Sequence, residues 1–471
     1  MKKIFLSIFI ICYGIASIAG QTVKIDSLTV ARFGKVHIYT TGSGSPQNLI
    51  IMISGDGGWK YGVPEFAKEF SKMNSIVAGV DILRYYEYLR KQNEDCYMVS
   101  SDFVELATDI ERKYNFPDFL PPVVMGYSSG ATLVYGILAQ ARPGTFMGGI
   151  SLGFCPDIEL PKMLCQVNGL AEKELVKGKS YLFIPDARLG NPWIVLHGKK
   201  DNICDFQTVN DFVLKTVDAR LIALTEVGHG FAKWSDFMPQ WKRAYTEMIT
   251  TFRSGQTQND QSPRIDNIPA IITRGKTGPN SNLIVLLFSG DGGWFGFEQS
   301  IANHLAVYGI STIGIDTKKY FWKRKSPETT ASDITNILSY YAKEWNKSKF
   351  LLMGYSQGAE IVPFVLTRLP EEMKSKVISM VMLSPELSTD FEVHITNMLG
   401  LGNKENTYDV IAEISKIQDT RQICIFGENE NTKVPEILRS TQVETVLIPG
   451  DHHYKSNSTL IVQKMKDKKA F

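Results

Sequence analysis

Short apolar runs alternate along the chain with segments whose apolar residues recur every three or four positions. The runs are β-rich and unbroken, as expected of strands buried on both faces of a parallel sheet. The intervening segments have the period of amphipathic helices. The pattern occurs twice. "NLIIMISGDGGW" (48–59) matches "NLIVLLFSGDGGW" (282–294). Each is followed by a helical segment, "EFAKEFSKM" or "EQSIANHLAVYG", and then by a strand, "SIVAGVD" or "ISTIGID". Helices "SSDFVELATDIERKY" and "TASDITNILSYYAKEW" lead into strands ending in "VVMGYSSGAT" and "LLMGYSQGAE". Later strands also pair off, "PWIVLHG" with "RQICIFG" and "ARLIALTEVGHG" with "VETVLIPGDHH". Such alternation predicts right-handed βαβ units and an α/β fold, each half a mostly parallel doubly wound sheet. The polar stretch "RSGQTQNDQSPRIDN" reads as a linker. The expected division is 21–253, a linker at 254–267, and 268–471.

Both halves carry G-x-S-x-G between a strand and a helix, centred on Ser128 and Ser356. In that context the serine sits on a sharp turn, its hydroxyl at the carboxyl edge of the sheet. A serine hydroxyl is a weak nucleophile and needs a base held by an acid. The expected order, serine then acid then histidine, is present twice. The first half offers Ser128, Asp201 and His229, and the second offers Ser356, Glu430 and His452. Counting from the glycine of "VLHGKKDN" and "CIFGENEN" favours Glu430, with Glu428 as the alternative. Aligning "VGHGF" with "GDHHY" favours His452 over His453, which reads as a support; His197 and His394 read as structural. The oxyanion of acyl transfer needs N–H donors. Those of Ser129 and Gln357 follow the serines, and those of Asp56 and Asp291 lie in the "SGDGGW" turns; the two Asp side chains are expected to brace the turn or cap the next helix. The fold class expected is therefore two tandem α/β-hydrolase-like domains.

Composition narrows the setting. With 44% hydrophobic and 21% charged residues, the 471-residue chain is globular rather than disordered. The start, "MKKIFLSIFIICYGIASIAG" (1–20), has a basic end and an apolar stretch, as in a cleaved signal peptide; a retained anchor is the alternative. Without Lys2 and Lys3, basic and acidic residues balance, which argues against global nucleic-acid binding. An exported chain permits disulfides, and Cys155 and Cys165, close in "FCPDIELPKMLC", are the expected pair. No cysteine–histidine spacing resembles a metal site, and the chemistry needs no metal or cofactor.

"SGDGGW", "GYSQGAE" and "KKYFWKRKSPETTASDI" resemble the VirJ-type bacterial virulence proteins, and the doubled arrangement, with "GYSSGA", "SLGFCPD" and "GHGF", resembles their longer AcvB-type members. The resemblance spans nearly the whole mature chain. It implies a periplasmic α/β-hydrolase of a Gram-negative bacterium, linked to type IV secretion and virulence. It further implies hydrolysis of an aminoacylated phospholipid such as lysyl-phosphatidylglycerol, with secretion-system proteins as possible partners. Glutamate at position 430 departs from the more usual aspartate. Lys318, Lys319, Lys323, Arg324 and Lys325, around Tyr320, Phe321 and Trp322, are expected beside Ser356, where cations would hold a lipid phosphate and aromatics rest on a bilayer. This segment lacks a counterpart in the first half, which favours Ser356 as the dominant nucleophile. A binding or scaffold protein with idle sites is the competing expectation, and a peptidase or thioesterase would use the same triad.

Overall fold

The computed structural model describes residues 22–42, 47–93, 95–141, 143–186, 189–259, 268, 270–294, 296–392, 407–452, 454 and 457–471. The expected signal peptide, His453 and His394 lie outside these residues. Among the described residues, no helix is long and apolar enough to cross a membrane.

The first half builds an eight-stranded sheet from β1 (Val23–Val30), β2 (Gly34–Thr41), β3 (Asn48–Ile53), β4 (Ser75–Val80), β5 (Val123–Tyr127), β6 (Gly148–Leu152), β7 (Trp193–Gly198) and β8 (Ala219–Leu224). Their order is β1-β2-β4-β3-β5-β6-β7-β8. All pairs from β4 to β8 are parallel, and β1 and β2 close one edge antiparallel. The second half repeats the plan with β9 (Ala270–Thr273), β10 (Leu283–Phe288), β11 (Ser311–Ile315), β12 (Lys349–Tyr355), β13 (Val377–Leu383), β14 (Arg421–Gly427) and β15 (Glu444–Ile448). Their order is β9-β11-β10-β12-β13-β14-β15. This is the α/β-hydrolase sheet. The runs read as doubly buried strands are so: every residue of β3 and of β10 is buried.

Paired residues explain the repeated motifs. Trp59 and Trp294, the last letters of the two "SGDGGW" turns, pack against Gly79 and Gly314 in the adjacent strands, where a Cβ would collide with the indole. The serine of each turn ties the sheet to the next helix: Ile82 N donates to Ser54 Oγ at 3.1 Å and Thr317 N to Ser289 Oγ at 2.9 Å.

Three expectations are corrected. The linker begins later than residue 254, because helix Met238–Asn259 continues through the polar stretch; serine, glutamine and threonine do not stop a helix that is already nucleated. Helix Val63–Ser71 takes Gly62 as its N-cap without a side-chain bond, so Asp56 does not cap it. The disulfides are Cys96–Cys165 and Cys155–Cys204, with Cα atoms 4.9 and 5.4 Å apart, rather than Cys155–Cys165. The backbone holds Cys165 beside Cys96, because Cys165 N donates to the Tyr97 carbonyl at 2.9 Å. Non-reducing peptide mapping should recover these two links. Reduction should destabilise the first half by ~2–4 kcal/mol per link. The second half contributes no link, its cysteine being the buried, unpaired Cys424.

Candidate active site

Each G-x-S-x-G turn has its glycines for a steric reason. A Cβ on Gly354 would fall inside the carbonyl of Gly358, and one on Gly358 would stand 2.5 Å from the carbonyl oxygens of Phe288 and Ser289. Gly126 and Gly130 are placed alike. The chain can then turn so tightly that Ser128 and Ser356 adopt φ of 54° and 50°, a strained region for a residue with a side chain.

The structure brings each set of sequence-read residues together. In the second half, His452 Nε2 lies 3.1 Å from Ser356 Oγ, and His452 Nδ1 lies 2.6 Å from Glu430 Oε1. Glu430 Oε2 accepts from Ser384 Oγ at 2.8 Å and from Gly427 N at 3.1 Å. In the first half, His229 Nε2 lies 2.9 Å from Ser128 Oγ and His229 Nδ1 2.8 Å from Asp201 Oδ2. Asp201 Oδ1 accepts from Ile203 N at 2.9 Å and Cys204 N at 3.0 Å. Glu428 is exposed and takes no part. His197 is fully buried, its Nε2 2.9 Å from the Cys204 carbonyl, where it backs the Asp201 loop. Asp201, Cys204 and His229 lie close enough to hold a metal. The Cys204 sulfur is committed to its disulfide and the other two groups to each other, so this donor set suits a proton relay instead.

Ser129 and Gln357 open the helices after the serines, where the first N–H groups have no intrahelical acceptor. Asp56 and Asp291 are exposed on the facing turns. Sequence reasoning missed the tyrosines of the two "GYS" stretches. Tyr127 OH donates to the His229 carbonyl and Tyr355 OH to the His452 carbonyl, both at 3.2 Å, so each tyrosine pins its histidine loop. Their recurrence before both serines was the available signal. Ser384 and Tyr454, bonded to each other behind Glu430, left no such mark.

The cation–aromatic segment is placed differently from expectation. Lys318, Tyr320, Phe321 and Trp322 are buried. Trp322 belongs to the core of the first half, and its Nε1 donates to the Phe116 carbonyl at 2.9 Å. Tyr320 OH donates to Asp333 at 2.5 Å. Lys319, Lys323 and Arg324 remain exposed, with Lys319 3.7 Å from Asp316. The segment joins the two halves, because burying its aromatic surface outweighs the solvation that its cations favour in the bare sequence.

The electrostatics of the second site follow from the relay. The hydrogen bond to Glu430 raises the pKa of His452 above its ordinary 6.5, against the opposing effect of burial, and Asp291 and Glu386 add to the rise. Burial pulls Glu430 upward, but the bonds from His452, Ser384 and Gly427 prevail and hold it below the usual range. A general base must be neutral to take the serine proton. Hydrolysis at Ser356 should therefore rise with pH along a limb lying above 6.5, and Glu430→Gln should move that limb down while slowing the reaction. A pH–rate limb at or below 6.5 in the unaltered protein contradicts this.

Fold and site together define an α/β-hydrolase fold carrying two Ser–His–acid constellations. The chain belongs to the VirJ family, described as bacterial virulence protein, whose model matches residues 47–143 and 282–470. That match contains Ser356, Glu430 and His452, but only Ser128 of the first set. Among solved structures, a CIB-like hydrolase from Thermoplasma acidophilum is 15% identical, covering 48% of this chain and 99% of its own, at a TM-score of 0.31. Est1E from Butyrivibrio proteoclasticus is 13% identical over 48% of this chain and 99% of its own, at 0.33. An esterase domain from Rhodothermus marinus is 13% identical over 46% and 92%, at 0.31. No curated protein sequence matches the chain.

Proposed function

We propose that this protein is a serine ester hydrolase that works through Ser356, His452 and Glu430. The observation that carries the reading is the unbroken relay from Ser356 Oγ to His452 to Glu430, at 3.1 and 2.6 Å, on a strained turn that presents the hydroxyl. Ser356 Oγ attacks the ester carbonyl carbon as its proton passes to His452 Nε2. The N–H groups of Gln357 and Asp291 receive the oxyanion. Collapse expels the alcohol, which takes the proton back from His452. Water, deprotonated by the same imidazole, then cleaves the acyl-enzyme and releases the acid. Ser128, His229 and Asp201 supply the parts of a second, independent site.

For the substrate we propose an aminoacylated phospholipid such as lysyl-phosphatidylglycerol, met by an exported, periplasmic protein at the membrane surface. Family membership supports this class. The charges do too, though not through a phosphate clamp. Asp291 and Glu386 act on His452 and suit an ester whose acyl part carries an ammonium group. Incubation of the mature protein with a membrane lipid extract should deplete aminoacyl phospholipid and release free amino acid, read by mass spectrometry. An unchanged lipid profile with folded protein contradicts the substrate assignment.

A further inference from the structure

The two halves use the same local design at the strand that follows the glycine-rich turn. Asp81 caps helix Ile82–Arg90, and Asp316 caps the short helix Thr317–Tyr320. Two positions after each aspartate, a side chain lies beneath the turn. A Cβ on Gly58 would stand 3.3 Å from Leu83 Cδ1, and one on Gly293 3.3 Å from Lys318 Cβ. Yet Leu83 is 45% exposed and Lys318 only 4%. The difference is helix Val99–Lys113 of the first half, which, with the loop after it, covers the second turn.

The cover is chemically specific. The Lys318 ammonium stands 4.0 Å from the centre of the Phe119 ring. Burial pushes it down to about 8, while Glu111, Asp316, Asp291 and Glu105 support its charge. Glu111 and Glu105 belong to that helix, and Arg32 anchors the helix through ion pairs to Asp102 and Glu105 at 2.5 and 2.7 Å. Glu111 is fully buried; its Oε2 accepts from Leu120 N at 3.3 Å. Arg112, from the same helix, donates to the Trp322 carbonyl and stacks 3.9 Å from the centre of the Trp322 ring. It also lies 3.8 Å from Glu392, whose carbonyl accepts from Gln357 Nε2 at 2.7 Å. First-half side chains thus brace both places from which oxyanion donors are expected, the Gly290–Gly293 turn and the residue after the nucleophile.

Resting on the assignment of Ser356 as nucleophile, the geometry points to a composite second site, in which helix Val99–Lys113 of the first half clamps Lys318 and Trp322 and so sets the oxyanion donors of Ser356. Lys318 and Arg112 are positioning residues; neither touches substrate. Among the described residues the first site has no such cover, as the exposure of Leu83 records. Misplacing catalytic groups by about 1 Å costs ~10²-fold in rate, so loosening the clamp should show in turnover more than in binding.

The test uses the full mature chain, a fluorophosphonate probe and peptide-resolved mass spectrometry, with Ser128 labelling as the internal report on folding. Lys318→Met removes the charge and keeps most of the volume. Arg112→Ala breaks the stack and the approach to Glu392. Expected in at least one variant is a fall of ~10- to 100-fold in the Ser356 labelling rate with Ser128 within about twofold of the unaltered chain. On p-nitrophenyl acetate, with Ser128→Ala in the background, kcat should fall while KM holds. Ser356 labelled at the original rate in both variants overturns the inference alone, as does a parallel loss of both labels in both variants, which marks a purely structural interface. A Ser356 that takes no label in the unaltered chain overturns the ester-hydrolase reading and the inference together.

Discussion

Ser356→Ala is expected to lower ester hydrolysis at the second site by ~10⁶-fold, leaving only what binding and the oxyanion donors supply. The side chain is small and part-buried at a turn held by Gly354 and Gly358, so its removal leaves the fold unchanged. On an aminoacyl phospholipid, Ser128→Ala should keep most of the turnover. The cation–aromatic segment gives no reason for this choice, because it lies between the halves rather than in the site. The reason that stands is the family match, which contains the whole second triad and only the nucleophile of the first. The check is turnover of both variants on one lipid, with circular dichroism for folding. An inactive Ser128→Ala beside an active Ser356→Ala reverses the roles of the two sites.

The second large effect is expected from Trp322→Ala. The indole is 3% exposed inside the core of the first half, with Phe119 5.8 Å away centre to centre. Its removal leaves a cavity costing ~3–5 kcal/mol. The cation stack of Arg112 and the bond to the Phe116 carbonyl are lost as well. All of this energy lies between the halves, so denaturant unfolding should split into two transitions where the unaltered chain shows one. Trp322→Phe keeps a ring and loses the N–H bond, and should cost ~1 kcal/mol. An alanine variant within ~1 kcal/mol of the original shows that the indole does not hold the halves together.

Much of this architecture is legible in the sequence because the chain states it twice. The strands, the two elbows and the order serine–acid–histidine are local patterns, and each copy checks the other. Counting from Gly198 and Gly427 to Asp201 and Glu430 works because the acid loops keep their length. What stays illegible is non-local. Cys165 is ten residues from Cys155 but pairs with Cys96, 69 residues away, because tertiary neighbours rather than sequence spacing choose the partner. The segment after Ile315 reads as a lipid-binding cluster of cations and aromatics beside Ser356, since nothing in it records that another helix will cover it. The hairpin of Ala171–Val176 and Ser180–Ile184 also escapes notice, having no counterpart among the described residues of the second half to reveal it.

Trp322 also changes how the protein can be dissected. Cutting the chain within residues 260–267 severs the connection but not the attachment, because the indole still has its socket around Phe116 and Phe119. Fragments spanning 22–259 and 268–471 are therefore not independent domains but halves of a split protein. The second alone would expose a tryptophan to water and return Lys318 to solvent, while the first alone would have an open slot. Mixing them should restore one particle, with Ser356 labelling as the signal of reunion.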